Sequence, residues 1–171
     1  FVRDIATNTT TLVSVSSSGA QGDGDSFYPA NFVSTKISAN GRYVAFTSVA
    51  SNLVIGAGYI PNIFLRDTIA NTTTLVSVAS SGVQVNGLSL YPSISADGRY
   101  IAFYSNGNNL VSGDTNGTTD VFVRDTVANV TTRVSVDSSS IEGNNDSYVP
   151  YISADGHYIA FESIASNLIS G

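Results

Sequence analysis

The stretch YPSISADGRYIAF, residues 91–103, returns as VPYISADGHYIAF at 149–161 and in looser form as KISANGRYVAF at 36–46. Each copy sets an Ala-Asn/Asp-Gly turn between two apolar runs. Glycine adopts positive φ without steric cost, so such a pair between apolar runs predicts a tight hairpin. The predicted strands, a and b, run around Ile37, Ile94 or Ile152 and then up to Phe46, Phe103 or Phe161.

Outward from this hairpin lies a second repeated segment. FVRDIATNTTTLVSV begins at Phe1, FLRDTIANTTTLVSV at Phe64 and FVRDTVANVTTRVSV at Phe122, and the first two copies agree at eleven of fifteen positions. Val, Leu and Thr flank a short Ala/Asn/Thr centre, which predicts two further strands, c and d, joined by a turn. Asp4, Asp67 and Asp125 close strand c, where a carboxylate can accept hydrogen bonds from the backbone of the following turn. A Gly- and Ser-rich loop leads from d to the next a and aligns without gaps in all three copies. About six extra residues near Asn31 lengthen the first copy after that loop.

The order along the chain is therefore a, b, loop, c, d, loop. Phe46 to Phe103 is 57 residues and Phe103 to Phe161 is 58. No segment shows helical spacing of apolar residues, and strand b carries apolar or aromatic residues on both faces. Four short antiparallel strands per repeat, covered on both sides, predict an all-β fold of stacked propeller blades. The chain would hold about three blades' worth: a c–d half-blade at 1–15, blades at 37–78 and 93–136, and an a–b half-blade at 152–171.

Composition narrows the function classes. Only 12% of the residues are charged and the formal net charge is −6, which argues against a nucleic-acid partner, since phosphate binding needs clustered Lys and Arg. No apolar run approaches the roughly 18 residues of a membrane-spanning helix. There is no cysteine, so neither disulfides nor thiolate metal sites are available. A surface of hydroxyls and amides suits an extracellular or periplasmic location. The chain opens on Phe1 in mid-repeat, which predicts a removed leader or an excerpt of a longer chain.

YPSISADGRYIAF, followed by a b–c loop and VFVRD, resembles the WD-like repeats of TolB-type β-propellers, in which a Ser-Pro-Asp-Gly turn precedes an Ile-Ala-Phe/Tyr strand. Ala96 and Ala154 stand in place of the usual turn proline. The resemblance covers the whole chain. It implies a propeller that serves as a binding platform, an accessory domain of a larger enzyme or a plain scaffold.

Three blades cannot close a ring that ordinarily needs four to eight, and an open blade leaves strand edges exposed. The two half-blades are complementary. Copies of the same chain, or further blades of a longer one, are the expected partners; two copies would give a six-bladed ring, and a contact that fails to close would give a filament.

Candidate sites are few. His157, the lone histidine, stands where the other copies have Arg42 and Arg99, a turn position that predicts exposure rather than catalysis. Asp114, Asn116, Thr118 and Asp120 alternate in GDTNGTTD and offer oxygen ligands of the kind Ca²⁺ prefers, with an Asx-rich turn as the alternative. The d–a loops carry Asp23 and Asp25, then Asn86, then Asn144 and Asp146, with Tyr28, Tyr91 and Tyr148 following. Such polar groups beside aromatics could hold a sugar or peptide, or else cap turns and pack between blades. Arg3, Arg66 and Arg124 recur beside an Asp, which predicts an Arg–Asp pair tying adjacent blades or a ring of Arg around a channel.

Overall fold

The computed structural model describes residues 1–26 and 35–169, and the described residues form strands, turns and loops with no helix. Four antiparallel sheets follow one another. β1 (Val2–Asp4) and β2 (Thr9–Thr11) make a two-stranded sheet. β3 (Lys36–Ile37), β4 (Tyr43–Ser48), β5 (Asn62–Asp67) and β6 (Thr72–Leu75) pair in chain order as the first complete blade. β7 (Ser89–Ile94), β8 (Tyr100–Ser105), β9 (Asp120–Asp125) and β10 (Val130–Arg133) make the second. β11 (Ser147–Ile152) and β12 (Ile159–Ser163) close the described chain as another pair.

Local chemistry sets the turns. In the a–b hairpin Ser95 Oγ bonds the Asp97 carboxylate, which accepts the Arg99 N–H, and Gly98 takes φ of 81°. In the c–d hairpin Asp67 Oδ1 accepts the N–H groups of Ile69 and Ala70, both at 2.9 Å. Asn71 then turns the chain at φ of 57°, which Asn tolerates better than most residues.

Strand a differs from the sequence expectation. β7 and β11 begin at Ser89 and Ser147, inside what reads as loop. Each is interrupted before its proline, where Tyr91 and Val149 take φ of 55° and 48° and the register shifts. A proline has no N–H for the ladder and is accommodated at a bulge. The d–a loop also holds a bridge in every copy: Val15 with Gln21, Val78 with Gln84 and Val136 with Glu142.

The blades stack face to face. Ala45, Ile63 and Leu65 of the first pack against Ile101, Phe103 and Phe122 of the second, in one buried cluster. Burial of a phenylalanine contributes about 1.5–3 kcal/mol. Backbone bonds also link successive a–b turns: Ala39 N–H donates to Ala96 O and Ala96 N–H to Ala154 O, each at 2.9 Å. On the outside, strand d of each complete blade is held by the preceding loop. Thr73 Oγ1 donates to Val15 O at 2.5 Å and Thr131 Oγ1 to Val78 O at 2.6 Å. The Thr73 and Thr131 N–H groups donate to Ser17 and Ser80 Oγ.

Candidate functional site

The recurring arginines act between blades but not through their neighbouring aspartates. Arg66 and Arg124 are buried, and each guanidinium donates to carbonyls of its own c–d turn and of the preceding loop, Asn71 and Ser16 for one, Asn129 and Ala79 for the other. The neighbouring aspartates pair inside the blade instead. Arg42 Nη2 lies 2.7 Å from Asp67 Oδ2, and Arg99 Nη2 lies 2.6 Å from Asp125 Oδ2. These bonds bring Asp67 down to about 2 and hold Asp125 well below the usual carboxylate range. Each pair fastens the start of strand b to the end of strand c.

The loop residues work one repeat at a time. Asp23 accepts from Ser51 N–H and Oγ, both at 2.7 Å. Asn86 accepts from Asn108 N–H, and Asn144 from Ser166 N–H. These three equivalent side chains pin the b–c loop of their own repeat. The backbone carbonyl of Asp25 accepts from Val49 N–H, while the Asp146 carboxylate accepts from Thr119 N–H at 2.7 Å and bonds the Tyr148 hydroxyl. Tyr28 lies outside the described residues. Tyr91 and Tyr148 do come together, through Tyr104. Tyr91 stacks on Tyr104 at 5.5 Å, and Tyr148 meets Tyr104 edge-on at 5.4 Å. Burial pushes the Tyr104 hydroxyl up to about 12. Its signal was comparison between copies, since Thr47 and Glu162 occupy the equivalent positions.

The alternating loop around Asp114 gathers on a basic side chain of β10. Arg133, standing where the other copies have Leu12 and Leu75, lies 2.6 Å from Glu142, 3.3 Å from Asp120 and 3.5 Å from Asp114. Asn116 donates to Asp120 Oδ2 and accepts from Thr118 N–H, while Thr118 Oγ1 is buried without a hydrogen-bond partner among the described residues. Burial and the nearby Asp120 carboxylate push Asp114 up to about 6, with Arg133 opposing them. Among the described residues no group of three or more His, Cys, Asp or Glu side chains is placed to hold a metal. His157 is 74% exposed, with Asp155 at 3.6 Å.

The surface with most to offer a partner is the pair of two-stranded sheets. Among the described residues β1 pairs with β2 and with no other strand, and β12 pairs with β11 alone. β1–β2 has the form of strands c and d; β11–β12 has that of a and b. Their residues match ones that complete blades bury. Phe1 is 81% exposed, whereas its counterparts Phe64 and Phe122 are 1% and 0% exposed. Ala160 is exposed, whereas Ala45 and Ala102 are fully buried. In the complete blades the phenylalanines of strands b and c stack, Phe46 on Phe64 at 5.8 Å and Phe103 on Phe122 at 5.9 Å. Phe161 and Phe1 are the same two halves, placed at separate two-stranded sheets.

Stacked four-stranded antiparallel blades of this kind define a β-propeller. Among solved structures the chain is similar to TolB from Acinetobacter baumannii, at 20% identity and TM-score 0.48 over 77% of this chain and 26% of that one. It is also similar to a protein assigned as TolB from Agrobacterium tumefaciens, at 12% identity and TM-score 0.48 over 95% of this chain and 49% of that one. The chain thus spans about a quarter and about half of the lengths of these two proteins. No family model matches the chain, and no curated protein does. No helix among the described residues is long and apolar enough to cross a membrane.

Proposed function

We propose that this chain is a non-enzymatic structural propeller module, extracellular or periplasmic, that assembles by joining the c–d half-blade of one copy to the a–b half-blade of another. The observation that carries this reading is the exposure of Phe1 and Ala160 at positions where both complete blades bury the equivalent residue. Joining the halves pairs the open edges of β1 and β12 and covers both faces. Two copies supply six blades, within the range in which propellers close. A hydroxyl- and amide-rich surface with 12% charged residues supports a location outside the cytoplasm. The non-enzymatic reading is supported by an exposed His157 whose acidic neighbour, Asp155, caps its own turn.

Light scattering of the 171-residue chain across a concentration series tests the proposal. A discrete dimer is the expected result, and growth without limit would mean a filament built on the same contact. A folded monomer at every concentration would overturn self-assembly and leave further blades of a longer chain as the complement. A second reading, a ligand-binding propeller, has the Tyr91, Tyr104 and Tyr148 cluster in its favour. It predicts a rise in melting temperature with a sugar or peptide that Tyr104→Ala abolishes.

A further inference from the structure

The geometry points to a defined seam between two copies, in which Tyr158 of one copy seats on Gly41 of the other and His157 pairs with Asp4 of that other copy. The inference rests on the self-assembly reading and adds its register and its response to acid.

The chain contains its own templates. A Cβ built on Gly98 would lie 2.2 Å from the Tyr43 ring, and one built on Gly156 would lie 2.4 Å from the Tyr100 ring. Each glycine turn therefore seats the tyrosine of the preceding blade. The series leaves one tyrosine and one glycine over. Tyr158 is 75% exposed, and a Cβ on Gly41 would meet nothing within 4 Å. The turn-to-turn bonds run the same way, Ala39 to Ala96 to Ala154, so that the next step leads from Ala154 to Ala39 of a second copy. The outer staples agree. Thr73 meets Val15 and Ser17, Thr131 meets Val78 and Ser80, and the equivalent remaining set is Thr10 with Val136 and Ser138 of the other copy.

The same templates place His157. In both complete blades the arginine after the glycine turn lies over the next tyrosine at 4.8 Å and bonds the aspartate that ends strand c. In the split blade these positions are His157, Tyr158 and, on the other copy, Asp4. Arginine Nε already reaches both carboxylate oxygens, at 3.0 and 3.1 Å for Arg99 and Asp125. Histidine Nε2 stands the same number of bonds from Cα, so a neutral or charged imidazole meets the same acceptor. Arginine stays charged throughout the physiological range, whereas an ordinary histidine gains its charge only below about pH 6.5.

The neighbouring charges are few. Asp155 lies on the same hairpin, and Asp97 and Arg99 lie on the adjacent turn, with Arg99 held by Asp125. The second copy adds Arg3 and Asp4 on β1, and Arg42 in the next blade, already paired with Asp67. A histidine that gains a carboxylate partner holds its proton more tightly. The pair's contribution is therefore full below the ordinary histidine range and fades as pH rises through it.

Sedimentation of the full chain at about pH 5.5 and about pH 8 reads both parts. The expected result is a dissociation constant up to roughly tenfold lower at the acid pH. His157→Arg should give tight assembly at both pH values, and Asp4→Asn should remove the difference. Asp155→Asn, which copies Asn40 at the equivalent turn, should leave it in place. Gly41→Asn, chosen because asparagine tolerates positive φ, should abolish assembly while the circular dichroism of the fold is retained. Equal assembly at both pH values, or a difference that survives Asp4→Asn, would overturn the His157–Asp4 pair alone. Undiminished assembly of Gly41→Asn would overturn the register. A monomer under all conditions, His157→Arg included, would overturn the underlying reading itself.

Discussion

Phe103 and Phe122 in the second complete blade are fully buried and stacked, whereas Phe161 and Phe1, their counterparts in the split blade, are partly buried and 81% exposed. The same contrast separates Tyr100, seated on Gly156, from Tyr158, which is 75% exposed. Arg99 is clamped to Asp125, while the equivalent Asp4 is bonded by Ala6 and Thr7 of its own turn. The residues are nearly the same in the two regions. On the self-assembly proposal, exposure at the ends marks a missing neighbour and not a surface made for water. An exposed apolar side chain alone carries little information; one whose repeats are buried carries a great deal.

The most severe test of this contrast is truncation of matched phenylalanines. Phe122→Ala should cost about 3–5 kcal/mol in urea unfolding, from lost burial and the cavity left behind. Phe1→Ala, measured on the dilute monomer, should stay within about 0.5 kcal/mol of the parent. Equal costs would mean that the split blade is closed already and that the contrast is false.

A second test exchanges a residue between blades. Arg133→Leu copies Leu75 into the second blade and leaves Asp114, Asp120 and Glu142 without their shared cation. A loss of about 3 kcal/mol in chemical denaturation is expected, because removing one partner of a buried ion cluster strands the others. Adding Asp114→Asn, Asp120→Asn and Glu142→Gln should restore most of it.

Matched glycine turns give a finer comparison. Gly98→Ala drives a methyl into the Tyr43 ring at a residue with φ of 81°, and should cost about 2–4 kcal/mol of thermal stability. Gly41→Ala at φ of 73°, measured on the dilute monomer, should cost only about 1 kcal/mol, since open space surrounds it in the single chain.

The smallest effect is the acid response of the clamp. Asp67 has its proton affinity lowered, to about 2, by Arg42. Its contribution is present above the usual carboxylate range near 3.8 and is lost as pH falls toward about 2. With Arg42 about a third exposed and partly screened by water, the loss should be about 1 kcal/mol. A pH titration of the urea midpoint, with Arg42→Leu as the variant lacking this slope, measures it.

Legibility in the sequence followed the range of the interaction. The Gly98 turn, the Asp67 turn and the repeat period could all be read, because each depends on residues a few positions apart or on simple recurrence. The start of strand a could not, because Tyr91 and Val149 take left-handed geometry before a proline that reads as a strand end. The recurrence of Arg66 and Arg124 beside an Asp predicts an Arg–Asp pair tying adjacent blades or a ring of Arg around a channel. Their acceptors are backbone carbonyls, some of them 50 and 45 residues away, and carbonyls leave no trace in side-chain composition. The Arg133 network was legible in principle, since Leu75, Asn62 and Gln84 of one repeat become Arg133, Asp120 and Glu142 in the next. Such a joint change of three positions signals contact.

The serine that ends each repeat's bridge to the following strand has a consequence at the level of the gene. Ser17 and Ser80 meet Thr73 and Thr131 through interchangeable contacts, although the two serines are 63 residues apart and the two threonines 58. Unequal crossing-over between two copies would insert or delete one whole period, and the junction would already suit its neighbours. Blade number in this architecture can therefore drift by recombination without a single compensating point mutation.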